Sequence, residues 1–410
     1  MKLPELLAPA GNFEKMQTAI HYGADAVYLG GKKFSLRAHA TNFSDEEIAQ
    51  AVTYAHERGV QVYTTLNIFA HNDDLAGLPD YLAGLREAQV DGLIISDPGI
   101  LAVARRVAPE LPIHLSTQAN VTNLESVRFW AGQGVKRLNL ARELSLAEIT
   151  QIRQATGAEL EIFVHGALCI SYSGRCLLSS VMAGRDANQG ECAHPCRWNY
   201  RLVEEKRPGE YFPVMEDANG TFIFNSRDLC LLEHLPAIIA AGAASLKIEG
   251  RMKGINYVAS VLRVYRQALD AYLADPAGWR CRPEWLEELS KLSHRGYTTG
   301  FLFGEPRNVG QEYRSAYIRS HEFVGLVEEV REDGTAVVGV RNRIQSGDAL
   351  EVIGPGMRTH GLLVDHLAIV DGDGSITRAG AANPNQRIVL ILPFRVEPFD
   401  LIRREKGAAP

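Results

Sequence analysis

Four cysteines in one glycine- and serine-rich stretch are the residues of this chain best placed to do chemistry. Cys169 and Cys176 have six residues between them, and Cys192 and Cys196 have three, within EIFVHGALCISYSGRCLLSSVMAGRDANQGECAHPCR. Thiolates chelate cooperatively when short spacers let several converge on one centre, so the candidates are tetrahedral zinc and a four-iron cluster. Zinc sites usually carry two close CxxC-like pairs. The first pair here is wide, which points to the cluster ahead of zinc, with unligated thiols third. The N-terminal MKLPELLAPAG lacks a basic region followed by an apolar one. The expected setting is therefore cytoplasmic, where thiols stay reduced and ligate metal rather than pair. Cys230, in NSRDLC, reads as the opening of a helix and as a small buried apolar residue, with replacement of one of the four as its other reading. Cys281 falls in a linker and is read as incidental.

A second constellation is basic. Arg142, Lys247, Arg251 and Arg37 all follow or end short apolar runs, where convergent cations suit a carboxylate or phosphate held in a bidentate way. Each also has a local acid that would neutralise it, Glu143 beside Arg142 and Glu249 beside Lys247 and Arg251. His165, at the end of a buried run, is a candidate acid–base group or a support for one. Asn67, Gln118 and His71 are further polar candidates. No hydrolase nucleophile elbow and no HExxH is present.

The elements that must position these groups follow one repeat from residue 1 to about 275: an amphipathic helix, a glycine near its end, then a short apolar strand ending in polar residues. Strands are expected at 5–8, 26–29, 61–66, 92–96, 113–117, 137–140, 160–164 and 245–248. Helices are expected at 12–21, 44–58, 75–88, 98–108, 123–133, 145–155 and 254–273. The last of these should bury the single face formed by Ile255, Val258, Leu262, Tyr265, Leu269 and Tyr272. Ser44 and Glu47 make a capping box. Eight strand–helix units predict an α/β, TIM-like (β/α)8 barrel over 1–275, with active groups at the C-terminal ends of its strands. The competing open doubly wound sheet lacks a dinucleotide fingerprint. The cysteine loop, 166–230, leaves after strand 7 and should cover that mouth. Residues 276–320 read as a linker. From 321 to 400 the period switches to two, which predicts a small C-terminal antiparallel β-barrel domain.

Totals narrow the partners. The chain has 410 residues and a net charge of −6, which argues against non-specific nucleic-acid coating but allows a local basic path to RNA. No apolar run approaches the roughly 18 residues of a membrane span. Neither membrane nor DNA is an expected partner.

EIFVHGALCISYSGRCLLSS resembles the signature of the U32 family, called collagenase-like peptidases. Supporting motifs are LLAPAGN at 6–12, GADAVYLG at 23–30, FSLRAHATNF at 34–43, NSRDLC at 225–230 and SLKIEGRMK at 245–253. The last 90 residues are similar to the family's C-terminal β-barrel domain. The resemblance is nearest to the subgroup of tRNA 5-hydroxyuridine proteins. It implies an oxygen-independent enzyme with a [4Fe-4S] cluster on Cys169, Cys176, Cys192 and Cys196. It also implies hydroxylation of the wobble uridine in the anticodon region of tRNA, with prephenate as co-substrate. Prephenate is a dicarboxylate, which would give Arg37, Arg142, Lys247 and Arg251 a purpose, with Asn67, Gln118 and Glu249 as further substrate contacts. Tyr313, Arg314, Tyr317 and Arg319 would then help dock the RNA. The alternatives are a metal-dependent peptidase, as the family label says, or a non-enzymatic zinc-containing RNA-binding factor.

Overall fold

The computed structural model describes residues 3–35, 42–169, 176, 178–185, 192–195, 198, 201–202, 212–213, 227–304 and 320–407. Arg37, Cys196, Tyr313, Arg314, Tyr317 and Arg319 lie outside the described residues.

Seven parallel strands follow one another, β1 (Glu5–Pro9), β2 (Ala26–Gly30), β3 (Gln61–Leu66), β4 (Gly92–Ile95), β5 (Ile113–Leu115), β6 (Arg137–Asn139) and β7 (Glu159–Ala167). Between them run α1 (Phe13–His21), α2 (Asp45–His56), α3 (Leu78–Glu87), α4 (Pro98–Val107), α5 (Leu124–Gly132) and α6 (Leu146–Ala155). Local chemistry sets the helix starts: Asn12, Asp97 and Asn123 each accept a backbone N–H at the first turn. Ser44 with Glu47, and Ser145 with Glu148, form reciprocal capping boxes.

After β7 the chain passes through α7 (Leu178–Ala183), the short pair β8 (Arg201–Leu202) and β9 (Phe212–Pro213), and β10 (Asp228–Cys230). It then enters α8 (Leu235–Ala240) and β11 (Ala243–Ile248). β11 pairs in parallel with both β7 and β1, so the eight-stranded sheet closes on itself. The expected barrel is present, and the closure excludes the open doubly wound sheet.

Two local expectations fail. β7 does not end at Val164 but runs on to Ala167, because β10 adds to it as an antiparallel neighbour, Cys230 opposite His165 and Asp228 opposite Ala167. Cys230 therefore ends a strand and opens no helix. The third difference concerns α9 (Ile255–Ala274). It buries thirteen residues, Arg263 and Ser260 among them, rather than one stripe. The barrel covers one side of it. Its other side is covered by α10 (Pro283–Ser290) and the C-terminal unit, to which Arg263 donates a hydrogen bond at Thr359 Oγ1, 2.8 Å away.

The stretch read as a linker packs closely as far as it is described. Trp279, Trp285, Leu289, Leu292 and Leu302 join the barrel's outer core, and β12 (Tyr297–Thr298) pairs with β10. Beyond it come β13 (His321–Val330), β14 (Thr335–Val340), β15 (Ile344–Gln345), β16 (Ala349–Ile353), β17 (Thr359–Leu363) and β18 (Leu367–Val370). β19 (Ile376–Ala379), β20 (Ala381–Ala382), β21 (Arg387–Ile391) and β22 (Leu401–Glu405) complete the unit. It is antiparallel, as its period predicts, in the order β17-β16-β22-β13-β14-β21-β18-β19 around its own apolar core. The unit is welded to the barrel. Leu326, Ile353 and Leu401 join the barrel's core, and Tyr22 donates to the Ile353 carbonyl at 2.8 Å. Arg403, 0% exposed, sets both guanidinium arms on Glu288 of α10 at 2.7 Å and also bonds Glu351 at 2.8 Å. No helix among the described residues is long and apolar enough to cross a membrane.

Candidate active site at the barrel mouth

Side chains alternate in and out along a strand, so every second residue of each barrel strand faces the interior. The lower interior is an ionic column. Glu5 bonds Arg137 at 2.6 Å, Tyr63 at 2.7 Å and Ser245 at 3.0 Å. Above it, the buried Glu161 accepts from Lys247 at 2.7 Å and lies 3.8 Å from Arg137. Lys247 also sits 4.6 Å from the Tyr28 ring centre. Burial, with the charges of Arg137 and Lys247, pushes His114 well below the usual histidine range, so it is a neutral member of this column. Lys247 therefore belongs to the barrel floor. Its partner is Glu161, supplied by β7, and not the Glu249 nearer in sequence.

Above this floor the mouth has two chemically different sides. On the side of β2, β3 and β11, Arg251 is buried and donates to Thr65 Oγ1 at 3.0 Å, and Thr65 in turn meets Ser35 Oγ at 2.9 Å. Gly30 makes this possible, because a Cβ there would lie 2.6 Å from the Arg251 guanidinium and 2.4 Å from Ser35 Oγ. Tyr28 donates to the Ile248 carbonyl at 3.0 Å and reaches Glu249 Oε2 at 3.5 Å. Arg142 approaches from β6, donating to the Ala167 carbonyl at 2.7 Å with its guanidinium 3.9 Å from the Phe163 ring centre.

The side formed by the ends of β3, β4 and β5 is neutral. Ser96 donates to the Asn67 carbonyl at 3.1 Å, and Asn67 Nδ2 to Gln118 Oε1 at 3.4 Å. Ser116 also donates to that Gln118 oxygen. Thr65, Ser35 and Asn139 had not been singled out from the sequence. The available signal was parity, since Asn139 shares its strand face with Arg137, and Thr65 shares its with Tyr63.

His165 is not part of this mouth. A register shift between β7 and β11, at Lys247–Ile248, turns its ring toward the outside of the barrel wall. There it sits 1% exposed among Tyr257, Tyr265 and Tyr297, with ring centres 5.4 to 5.9 Å away. Burial first, then the charges of Lys253 and His294, drive it down to about 3, so the ring stays neutral at physiological pH. Cys230 lies opposite it in the ladder, its thiol pushed up to about 11 by burial, which outweighs its hydrogen bonds with Leu232 and Tyr265. The three tyrosine hydroxyls donate to the carbonyls of Glu249, Val164 and Leu289. The box thus fastens α9 and β12 to the strand ends from which the cysteine segment departs.

That departure is tight. Gly166 has φ +115°, and a Cβ there would lie 2.3 Å from the Glu249 carbonyl oxygen, a backbone atom. Gly166→Ala is expected to lower the melting temperature by several degrees, through both strained backbone and forced separation of β7 from β11. Gly184→Ala, at φ +61° with open space around it, should cost less. Thermal unfolding of the two variants checks this; equal shifts would contradict it.

Cys169 lies exposed two residues beyond β7, while Cys176 and Cys192 are half-buried. The Ala193 N–H donates to Ser179 Oγ at 2.9 Å, which brings Cys192 back to the first turn of α7, just after Cys176. Among the described residues no three His, Cys, Asp or Glu side chains are grouped closely enough to hold a metal ion. His71 is instead the start of a short turn, its N–H bonded to Asp74 at 2.8 Å.

Residues 11–312 match Peptidase family U32, and residues 319–403 match the Peptidase family U32 C-terminal domain. The chain belongs to peptidase family U32. Within that family it is similar to tRNA hydroxylation protein P1 of Bacillus subtilis, at 44% identity over 99% of this chain and 96% of that one. It is 41% identical to tRNA hydroxylation protein P of Escherichia coli, over 86% of each chain. It is also similar to the 23S rRNA 5-hydroxycytidine C2501 synthase of Escherichia coli, at 36% identity over 85% of this chain and 52% of that one.

Proposed function

We propose that this chain is an RNA-modifying enzyme that hydroxylates uridine at the wobble position of tRNA without molecular oxygen. The observation that carries this reading is identity of 44% and 41%, along nearly the whole chain, to two tRNA hydroxylation proteins. The site is consistent with it. A barrel mouth with a cationic side and an amide side has places for an anionic co-substrate and for a nucleobase. The dicarboxylate prephenate is the proposed source of the hydroxyl group, and Arg251 and Arg142 are the groups to hold its carboxylates, as bidentate donors. Arg37 is the third such group by its place in the sequence. Lys247 acts from below, holding Glu161 and setting the charge of the floor.

A [4Fe-4S] cluster is proposed on Cys169, Cys176 and Cys192, with Cys196 or Cys230 as the fourth ligand. Thiolate donors fit such a cluster, and the Ala193–Ser179 bond draws Cys192 toward Cys176. When bound, the cluster supplies one-electron redox chemistry at the mouth. His165, neutral and enclosed, supports the strand end from which Cys169 leaves and takes no proton itself.

The test is expression of the chain in a bacterial host lacking its own tRNA hydroxylation, followed by nucleoside analysis of bulk tRNA from cultures grown with and without air. The reading predicts 5-hydroxyuridine or its derivatives under both conditions. Bulk tRNA unchanged under both, with cleavage of a collagen-like peptide by the purified chain, would return the peptidase reading. Unchanged tRNA with one zinc per chain and no sulfide would return the RNA-binding factor.

A further inference from the structure

The side-chain amide of Asn139 is buried without a hydrogen-bond partner among the described residues. It ends β6, is 2% exposed, and both its Nδ2 and its Oδ1 are left without one. Leu138, before it, packs outward into the core, and Arg137 points inward to Glu5, so alternation aims Asn139 into the barrel. Register sets it at the base of the mouth, between a mouth residue and the floor carboxylate. Leu115 pairs with Leu138, which sets Asn139 level with Ser116 on one side, while Glu161 pairs with it on the other. An amide buried without partners is unfavourable, and an apolar residue would relieve the cost. Such a group is accounted for when a ligand completes it.

The donor and acceptor pattern narrows that ligand. A primary amide presents one donor and one acceptor side by side. A carboxylate offers acceptors only and would leave Asn139 Oδ1 unsatisfied. The imide edge of uracil, a carbonyl next to an N–H, satisfies both atoms at once. The neighbouring Gln118 adds a second donor. Its Oε1 already accepts from Ser116 and Asn67, which leaves its Nε2 protons to face a second carbonyl. Of the cations that suit an anion, Arg251 lies beyond β11, while Arg142, three residues after Asn139, is held at the Ala167 carbonyl and over the Phe163 ring.

From this geometry we infer that Asn139 and Gln118 read the Watson–Crick edge of the target uracil, flipped out of its stack into the mouth. Enzymes that modify a base commonly extrude it and read that edge in a pocket. The assignment rests on the tRNA-hydroxylase reading and adds the residues that select the base. It makes Asn139 a specificity residue.

The test uses the full-length chain in the same hydroxylation-deficient host, with Asn139→Leu, Asn139→Asp and Gln118→Glu. Asn139→Leu should melt at or above the wild-type temperature, since it removes an unpartnered buried amide, and yet form about tenfold less 5-hydroxyuridine or lower still. Asn139→Asp, which only accepts, should lose hydroxyuridine and shift the residual product toward 5-hydroxycytidine, whose exocyclic amine donates. Gln118→Glu, at a half-buried position, keeps the test open should the interior variants fail to fold; it too should lower hydroxyuridine several-fold. Wild-type hydroxyuridine in any folded Asn139 variant, or in Gln118→Glu if neither folds, would overturn the assignment and leave the tRNA-hydroxylase reading intact. If the wild-type chain itself makes no hydroxylated pyrimidine, the two fall together, and that outcome is visible in the first lane.

Discussion

Cys176→Ala is expected to abolish tRNA hydroxylation and to strip most of the iron from anaerobically purified protein. Cysteine thiolates hold a four-iron cluster, and the methyl group of alanine cannot ligate iron. Wild type should carry about four irons and four sulfides per chain. Cys169→Ala should behave the same way, whereas Cys281→Ala, on the far side of the eighth barrel strand in sequence, should keep both colour and activity. Cys196→Ala and Cys230→Ala form the informative pair, since the true fourth ligand should lose iron and the other keep it. Iron and sulfide analysis with an optical spectrum reads all five variants. A Cys176→Ala protein with its full iron content and full modification would remove the cluster from the account.

Glu288→Ala should be the most destabilising single change at the junction of barrel and C-terminal unit, by about 3–5 kcal/mol, because it strips both arms of the buried Arg403, leaving only its Nε bond to Glu351, and removes the carboxylate beside the buried Arg263. Arg403 meets Glu288 through both arms at 2.7 Å, and Arg263 lies 3.9 Å from the same carboxylate. The double variant Glu288→Leu with Arg403→Met should recover part of the loss, since apolar replacement of both partners removes the unpaired charge. The same network sets an acid limit. Burial alone would raise the Glu288 carboxyl, but its hydrogen bonds and charge pairing with Arg403, then the charge of Arg263, hold it down to about 2. Glu351 is lowered as well, burial being outweighed by Arg403. A depressed carboxyl contributes stability that is fully present above its unfolded value near 4.3 and fades as pH falls toward 2. Wild-type melting temperature should therefore drop steeply across that window and Glu288→Ala less so. Parallel acid profiles would contradict this.

The barrel was legible because buried parallel strands read as short apolar runs, and each was followed by a helix with its own start signal. Ser44 with Glu47 is such a signal. What the sequence concealed arises from contacts between distant segments. Nothing local in NSRDLC says that β10 will lie antiparallel on β7, so Cys230 reads as helical and His165 as the end of its strand. Arg263 looks like the exposed face of α9 until the C-terminal unit covers it. Lys247 looks like a rim cation because Glu249 is two residues away, while Glu161, its partner, is 86 residues back in the chain. The polar strand ends that carry Asn67, Gln118, Arg142 and Arg251 were readable, and the fold gathers them at one mouth in two groups. Asn139 was overlooked because a lone asparagine ending a strand has no motif. Its significance comes from burial without a partner.

The most direct test of the central claim is mass-spectrometric mapping of one purified tRNA carrying a wobble uridine. It would come from the hydroxylation-deficient host grown without oxygen, with the wild-type chain or with an empty vector. The account predicts an added oxygen atom on that uridine, on no other pyrimidine of the anticodon loop, and only when the chain is present. An identical, unmodified anticodon loop in both samples would contradict it.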